Sequence, residues 1–283
     1  MKLSEMRQIL AARGIQLTKS LGQNFLHDGN QLRRAVEAAS LGKSDKVLEI
    51  GPGLGPLTEL LVNGAGEVLA IETDARLLQV LSERFCHWLT CEKPVLHLLH
   101  ADALDYLRRE PRDWSAWKLV ANLPYSVASP LLVELAQGGR GPQRIVVTLQ
   151  LEVAQRLMAG PRDPDYGVLT LLIQLDYEPL AWFKIPAGCF FPEPDVDSAC
   201  VSLARRQQPL LSPYQRADFT RIVKRSFSQR RKMMLKLLKG DWPARKLNAA
   251  FDGLQLSQTA RAETISLEQF VRLTRFLVPD SSS

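Results

Sequence analysis

A short apolar strand that runs directly into a glycine-rich turn constrains the fold of this chain more than any other feature of its sequence. The strand is Val47-Leu48-Glu49-Ile50, and the turn is Gly51-Pro52-Gly53-Leu54-Gly55. Glycines let the backbone turn sharply and let a ligand approach it closely. From residue 46 to about residue 203, short runs rich in Val and Leu alternate with helical patterns. Such strands, buried on both faces and separated by helices, predict an α/β fold with an open, mostly parallel sheet.

Seven strands and a helical C-terminal region are predicted. The strands are expected at residues 46–50, 67–71, 95–100, 117–121, 144–149, 170–176 and 198–203. Residues 205–209 have the composition of a linker, and beyond them the apolar periodicity becomes helical. Helix starts are predicted at Ser212, which precedes a proline, and at Ser266, which forms a capping box with Gln269. The sequence therefore predicts two domains, an α/β domain at residues 1–205 and a small all-α domain at residues 206–283.

Composition limits the classes of protein to which the chain can belong. Its 283 residues are 46% hydrophobic and 23% charged, as in an ordinary soluble globular protein. No run approaches the roughly 18 apolar residues of a membrane span. The N-terminus lacks the apolar segment of a secretory signal, so we expect a cytoplasmic protein with no membrane partner. Cys86 and Cys91, followed by His97 and His100, do not have the spacing of a zinc site, and no metal is expected.

Positive charge is concentrated in one segment of the C-terminal region. Residues 221–246 contain ten Lys or Arg residues and one acid, Asp241, a net charge of +9, whereas the whole chain carries +6 and the remainder therefore −3. Charge runs are usually solvated helix surfaces, but a block with so little opposing charge favours a polyanion, and we expect a nucleic acid. The residues predicted to bind it are Arg225, Arg230, Arg231, Lys232 and Lys236.

The glycine-rich turn predicts a site for a methyl donor. A dinucleotide fingerprint requires Gly-x-Gly-x-x-Gly, and Pro56 stands where its third glycine would be. The pattern Glu-x-Gly-x-Gly-x-Gly instead resembles the first motif of S-adenosylmethionine-dependent methyltransferases; binding of another nucleotide, or simply a tight turn, is the alternative. Glu72 ends the second strand, where an acid can accept the hydroxyls of a ribose. Asp102 ends the third strand, where it can accept from an adenine amine. Each acid is otherwise a surface or capping residue.

A tetrapeptide after the fourth predicted strand indicates the methyl acceptor. It consists of Asn122, Leu123, Pro124 and Tyr125. The nitrogen of an aromatic amine is a poor nucleophile because its lone pair is delocalised into the ring. The Asn122 side-chain oxygen and the Leu123 carbonyl can each accept one N–H and direct the lone pair at the methyl group, while Pro124 fixes the turn. Tyr125 can stack on the ring. Phe190, in a proline-rich loop, can stack on the opposite face, and is otherwise a core aromatic.

Ordered motifs along nearly the whole chain resemble the small-subunit ribosomal RNA adenine dimethyltransferases. They are KSLGQNFLHD (19–28), VLEIGPGLGPLT (47–58), AIETD (70–74), ADAL (101–104), NLPY (122–125), TLQLEVAQRL (148–157), DYGVLTLLIQ (165–174), FFPEPDVDSACVSL (190–203) and FSQRRKMMLKLL (227–238). The resemblance implies a Rossmann-like class I methyltransferase domain and a helical rRNA-binding domain. It also implies a donor pocket lined by Asn24, Leu26, Gly51, Gly53, Glu72, Asp102 and Asn122.

The same resemblance implies the reaction and the partner. S-adenosylmethionine is the expected methyl donor. The expected acceptors are two adjacent adenosines in a hairpin loop near the 3′ end of small-subunit (16S) rRNA, which become dimethylated late in subunit biogenesis. The small ribosomal subunit and its rRNA are the expected partners, and we expect the protein to be a monomer.

The chain departs from the family pattern at several positions, and two alternatives stay open. Leu151 and Asp195 stand where Lys is expected, Ser202 stands where Arg is usual, and Glu193 adds an acid. These changes lower the positive charge near the acceptor loop, so the resemblance does not define the RNA contacts there. The first alternative is a large-subunit rRNA adenine methyltransferase of the antibiotic-resistance type. The second is a non-catalytic RNA-binding protein that acts in subunit assembly or in transcription.

Overall fold

A computed structural model describes residues 1–17, 22–90, 92–110 and 112–279 of the chain. Cys91, the serine tail at 281–283 and the first residues of the 19–28 motif lie outside these ranges. The chain forms two compact units, of which the first contains Met1–Ala154 and Pro179–Arg205 and the second contains Gln155–Glu178 and Arg206–Ser283. Among the residues described, no helix is both long enough and apolar enough to cross a membrane.

The first unit is built around a seven-stranded sheet. The strands of the chain are β1 (Phe25–Leu26), β2 (Lys46–Ile50), β3 (Glu67–Glu72), β4 (Leu96–His100), β5 (Trp117–Asn122), β6 (Arg144–Gln150), β7 (Tyr177–Ile185), β8 (Phe190–Phe191) and β9 (Ser198–Arg205). Their order in the sheet is β4-β3-β2-β5-β6-β9-β7, and β1 and β8 form a separate antiparallel pair. Strands β4, β3, β2, β5 and β6 run parallel, and β9 runs antiparallel to β6. The predicted α/β fold with a mostly parallel sheet is confirmed.

Helices follow most of the strands and predominate in the C-terminal region. They are α1 (Leu3–Ala12), α2 (Gly29–Ala39), α3 (Pro56–Gly64), α4 (Ala75–Arg84), α5 (Cys86–Thr90), α6 (Ala103–Arg109), α7 (Ala128–Ala136), α8 (Leu151–Met158), α9 (Val168–Gln174), α10 (Arg216–Phe227), α11 (Met234–Leu238), α12 (Ala244–Gly253) and α13 (Leu267–Leu277). Short 3-10 turns lie at Gln137–Gly139, Ala187–Cys189, Pro213–Gln215 and Ala262–Thr264.

The central strand β2 explains why the apolar runs form a parallel sheet. Val47 and Leu48 point to opposite faces, and both are fully buried. Such a strand needs helices on both sides of the sheet, which the alternating connections provide. Because β3, β2 and β5 are parallel neighbours, their carboxyl ends meet at one edge. The glycine-rich turn, Glu72 and Asn122 follow or end these strands and therefore come to the same edge.

One predicted strand is wrong. Residues 168–174 form helix α9, and the seventh strand is β7, which follows it. A short apolar run does not distinguish a strand from a buried helix. Here the helix begins where the Gly167 N–H donates to the Thr170 hydroxyl (3.1 Å). Strand β7 contains Pro179 and lies at the edge of the sheet, where proline is tolerated.

The second unit is helical, and its core includes an earlier part of the chain. Phe219, Phe251 and Phe270 are fully buried in one apolar cluster together with Tyr166 and Leu171. The Tyr166 hydroxyl also donates to the backbone carbonyl of Ile265 (2.8 Å). The contacts therefore place residues 155–178 with the C-terminal helices, which differs from the division predicted at residues 205 and 206.

A buried carboxyl group lies at the end of β2. Glu49 is 1% exposed, and its Oε2 atom has no hydrogen-bond partner among the residues described. Burial raises the pKa of this carboxyl group to about 8, because a charged carboxylate loses its hydration there. Glu49 is therefore protonated in the folded protein at neutral pH.

We expect Glu49→Gln to flatten the pH dependence of stability. Between the ordinary pKa of 4.5 and about 8, the folded protein holds a proton that the unfolded chain releases. This group therefore lowers the free energy of unfolding as pH rises through that interval. Thermal midpoints measured across it should fall less steeply in Glu49→Gln than in the wild type. Glu37→Gln, which changes an exposed carboxylate on α2, should keep the wild-type slope. Equal slopes for wild type and Glu49→Gln would contradict the assignment.

Candidate functional site

A cavity of about 660 Å³ lies at the carboxyl ends of the parallel strands. Its lining residues come from residues 22–25, from the ends of β2, β3 and β5, from residues 101–104 after β4, and from Val127 and Leu131 near the start of α7. The location is the one that ligands occupy in open parallel sheets. This is the edge of the sheet at which the sequence predicted the donor site.

The glycine-rich turn presents bare backbone to the cavity. Gly51 and Gly53 have φ values of 69° and 62°, in the left-handed region that glycine adopts at little cost. A β-carbon on Gly53 would lie 2.5 Å from the Phe25 ring. Both glycines line the cavity, as does Phe25. The turn is therefore close to the 22–25 segment, and at Gly53 it leaves no room for a side chain.

Glu72 lies where the sequence predicted a ribose acceptor. Its carboxylate lines the cavity, is 4% exposed and accepts N–H bonds of 3.0 Å from Gly53, Thr73 and Asp74. Burial raises the pKa of this group above its usual value, and the three N–H donors oppose the shift. A carboxylate offers about four acceptor positions, so roughly one is left for a ligand hydroxyl. Glu72 therefore also supports the glycine turn.

Asp102 is a helix cap that also lies in the cavity lining. It is the N-terminal cap of α6, with its Oδ1 atom accepting the Asp105 N–H (2.9 Å). The residue also lines the cavity. Helix capping thus fixes the position of a carboxylate in the lining of the cavity.

Asn122 has the most distinctive environment in the cavity. Its amide nitrogen donates to the backbone carbonyl of Asn24 (2.8 Å), and both residues line the cavity. Its Oδ1 atom is buried and has no hydrogen-bond partner in the described part of the chain. Buried polar atoms are nearly always paired, so an unpaired acceptor here indicates a missing donor. The amide is held with its oxygen free for an N–H group.

The rest of the tetrapeptide is positioned by β6 and β9. The Leu123 N–H donates to the Thr148 carbonyl (3.0 Å), and Pro124 lines the cavity. The half-buried Tyr125 shares a 2.5 Å hydrogen bond between its hydroxyl and that of Ser198. Burial raises the pKa of Tyr125, so the phenol stays neutral. Ser198, the first residue of β9, was not predicted because no sequence pattern links it to a tyrosine 73 residues earlier.

Two predicted site residues are placed in the core instead. Leu26 on β1 pairs with Phe190 on β8, and these residues are 2% and 3% exposed in one apolar cluster. Neither is among the residues that line the cavity. The antiparallel β1–β8 pair turns both side chains inward, so Phe190 is a core aromatic in this structure. Phe25 and Gln23, which the sequence did not single out, line the cavity in their place.

Two of the predicted RNA-binding arginines already have partners inside the second unit. The Arg225 Nε atom lies 3.2 Å from an Asp241 carboxylate oxygen and donates to the Leu237 carbonyl (3.0 Å). The Arg230 guanidinium donates to the Pro164 carbonyl (2.7 Å). Both side chains therefore help to hold the fold of this unit.

The other three predicted RNA-binding residues are differently placed. Arg231, Lys232 and Lys236 are exposed. In the described ranges none of them has an ion pair or a side-chain hydrogen bond. Their charge is therefore available to an anion. Across those same ranges, no group of three or more His, Cys, Asp or Glu side chains is arranged to hold a metal ion.

Comparison with known proteins identifies related sequences along almost the whole chain. A family model described as "Ribosomal RNA adenine dimethylase" matches residues 14–278. A protein of Latilactobacillus sakei named ribosomal RNA small subunit methyltransferase A is 36% identical over 95% of this chain and 92% of its own length. The protein of that name from Lactiplantibacillus plantarum is 38% identical over the same shares of the two chains.

Solved structures give the same result for the fold. The crystal structure of the 23S rRNA methyltransferase ErmE is 29% identical, with a TM-score of 0.68 over 89% of this chain and 99% of that one. A dimethyladenosine transferase from Plasmodium falciparum is 23% identical, with a TM-score of 0.74 over 88% of this chain and 95% of that one. The second likeness concerns the fold alone.

We expect Gly53→Ala to weaken binding of S-adenosylmethionine by about tenfold. A left-handed conformation costs an alanine about 1–2 kcal/mol, so the free variant relaxes out of it. Recovering the turn when the donor binds would cost about 1.4 kcal/mol, which is tenfold in a binding constant. The added methyl group would also displace the Phe25 ring, which lines the cavity. Titration calorimetry measures the affinity. Gly167→Ala is the control, because its backbone is extended and its β-carbon would meet nothing within 4 Å. Unchanged affinity in Gly53→Ala would refute this role of the turn.

Proposed function

Because the chain belongs to the ribosomal RNA adenine dimethylase family, we propose that it dimethylates two adjacent adenosines in a 3′-terminal hairpin loop of small-subunit rRNA. Each methyl group comes from S-adenosylmethionine and is transferred to the exocyclic amine of the base. The curated relatives at 36% and 38% identity, named for the small subunit, support this substrate. The observation that carries the proposal is the buried Oδ1 atom of Asn122, an acceptor at the cavity with no partner in the described residues.

The residues of the cavity fit the proposed donor. S-adenosylmethionine, when bound, supplies an electrophilic methyl group. It carries no phosphate, so a glycine turn without a dinucleotide fingerprint suits it. Glu72 keeps one acceptor position for a ribose hydroxyl, and Asp102 presents a carboxylate for the adenine amine. Bare backbone at Gly51 and Gly53 permits close approach.

The acceptor side of the site needs an oriented amine rather than a strong base. The Asn122 oxygen accepts one N–H of the target amine, and the Leu123 backbone carbonyl accepts the second. These bonds turn the nitrogen lone pair out of conjugation with the ring and towards the methyl group. The proton becomes acidic once the methyl group has been transferred, so it leaves without a dedicated base. Positioning the reacting atoms accounts for most of the rate.

Tyr125 fixes the plane of the base. Stacking on an aromatic side chain contributes about 1–3 kcal/mol per base. The hydrogen bond to Ser198 restrains the phenol ring, and burial keeps its hydroxyl neutral. The two hydroxyls therefore form a positioning pair, in which Ser198 acts through Tyr125. Phe190, which the structure buries, has no part in this proposal.

The RNA is held by positive charge in the helical unit. Arg231, Lys232 and Lys236 are exposed and available to phosphates. Single-stranded loops are suitable substrates, because their bases leave the stack at little cost. Nothing in this chemistry requires a metal. We propose that the protein acts as a cytoplasmic monomer on small ribosomal subunits late in their assembly.

A second candidate is an adenine methyltransferase of the large subunit. The likeness to the 23S rRNA methyltransferase ErmE, which spans nearly the whole of that chain, favours it over other classes. The chemistry would be the same, so only the substrate distinguishes the two candidates.

Methyl transfer to isolated ribosomal subunits tests the proposed function. Labelled S-adenosylmethionine is incubated with small subunits from a strain that lacks the modification, and with large subunits in parallel. We expect dimethyladenosine, identified by mass, on small subunits only. Asn122→Ala removes the acceptor oxygen and should abolish the label. Label on large subunits alone would favour the second candidate. No label on either, despite measured donor binding, would indicate a non-catalytic RNA-binding protein.

A further inference from the structure

A short segment near the N-terminus forms part of the cavity wall. We call it the N-terminal wall; it consists of residues 22–25, all of which line the cavity. The Gln23 side-chain amide donates to a carboxylate oxygen of Asp74 (3.0 Å), and Asp74 lies two residues after the end of β3. This hydrogen bond joins the N-terminal wall to the strand end that carries Glu72.

The carboxylate of Asp74 has no acceptor position left for a ligand. It accepts the Arg76 backbone N–H (3.0 Å), two N–H groups of the Arg76 guanidinium (3.0 and 2.6 Å) and the Gln23 amide. A carboxylate offers about four acceptor positions, so all of them are used. The Asp74 side chain is 5% exposed, and it is not among the residues that line the cavity. Asp74 can therefore act on a molecule bound in the cavity only through Gln23.

The groups around Asp74 keep this carboxylate charged. Hydrogen bonds from Arg76 and from Gln23 lower the pKa of Asp74 to about 2, although burial opposes the shift. Asp74 is thus ionised at neutral pH, and a charged acceptor forms a stronger hydrogen bond than a neutral one. The Asp74 backbone N–H donates to the Glu72 Oε1 atom (3.0 Å), so the same residue also supports the predicted ribose acceptor.

Helix α4 makes further contacts with the N-terminal part of the chain. The Arg76 guanidinium donates to the Gln16 carbonyl (3.3 Å). Phe25 of the N-terminal wall is buried in an apolar cluster with Leu54 of the glycine turn and Leu77 of α4. Polar and apolar contacts therefore both hold the N-terminal wall near the start of α4 and beside the glycine turn.

We propose that Asp74 is a positioning residue for the methyl donor and that it holds the N-terminal wall against the cavity through Gln23. The inference rests on the proposed function, which makes S-adenosylmethionine the ligand. Without the bond between Gln23 and Asp74, the unliganded protein would populate conformations in which the wall lies away from the cavity. Donor binding would then have to restore the wall, which lowers the apparent affinity in proportion to the population that is competent to bind.

Exchange of the two hydrogen-bonding groups tests this role. Gln23→Glu places a second carboxylate against Asp74, and two carboxylates in contact repel each other when both are ionised. Adding Asp74→Asn restores the bond, because the new amide can donate to the new carboxylate. Asp74→Ser is a third variant, in which serine keeps a good helix cap for α4 but removes the carboxylate oxygen that accepts from Gln23.

We expect Gln23→Glu and Asp74→Ser each to weaken binding of S-adenosylmethionine by about tenfold, since each loses a charge-assisted hydrogen bond. Titration calorimetry measures the affinity, and the double variant should recover most of the loss. In methylation of small subunits, the KM for the donor should rise by a similar factor. The kcat at saturating donor should stay near the wild-type value, because bound donor restores the wall. A purely structural role would lower the thermal midpoint without this change in KM.

Glu83→Gln is the matched control. It removes the ion pair between Arg13 and Glu83, which also joins the N-terminal part of the chain to α4. Neither of these residues lines the cavity, and both side chains are exposed. Donor affinity in Glu83→Gln should therefore equal that of the wild type.

The other outcomes would overturn the inference. Unchanged donor affinity in Gln23→Glu and Asp74→Ser would show that the wall does not need this bond. An equal loss in Gln23→Glu and in the double variant would show that Gln23 acts on the donor directly. An equal loss in Glu83→Gln would show that Asp74 has no special role in holding the wall. A wild type that does not bind S-adenosylmethionine would overturn the proposed function as well, whereas the first three results leave it standing.

Discussion

The hydrogen bond from the Asn122 amide nitrogen to the Asn24 carbonyl is the interaction on which the rest of the site depends. This bond fixes the orientation of the Asn122 side-chain amide, so its Oδ1 atom remains a buried acceptor at the cavity. The same bond ties the N-terminal segment, which lines the cavity, to the end of β5. The proposed donor and acceptor sites therefore depend on the same bond. A displacement of Asn24 would free the amide to rotate and would disturb both.

The sheet brings the remaining groups to this hydrogen bond. Parallel order places the glycine turn, Glu72 and Asn122 at one edge, and antiparallel β9 adds Ser198 beside Tyr125. The arrangement costs stability. Glu49 is buried as a neutral acid beneath the turn, and the Asn122 oxygen is buried without a partner, a condition that costs about 1–3 kcal/mol. Burial of the large apolar core of the sheet compensates for that cost. A substrate amine that donates to the Asn122 oxygen would relieve part of it.

Features encoded within a few residues were predictable, and features that depend on distant parts of the chain were not. The glycine turn, Glu72, Asp102, Asn122 and Pro124 lie at or just after strand ends, so strand order brought them to one cavity. Leu26 and Phe190 are far apart in the sequence, and their pairing places Phe190 in the apolar core. The sequence had predicted that Phe190 stacks on the base. Helix α9 was mistaken for a strand because its apolar run is short and its N-terminal cap is a glycine. The tertiary packing of Tyr166 likewise moved residues 155–178 into the helical unit.

The most direct test is a crystal structure of the protein with S-adenosylhomocysteine and the target RNA hairpin. We expect the exocyclic nitrogen of the flipped adenine to lie about 2.7–3.2 Å from the Asn122 Oδ1 atom. The bond from the Asn122 nitrogen to Asn24 should persist in that complex. A base held by other groups, or an Asn122 amide turned with its nitrogen towards the base, would contradict the account.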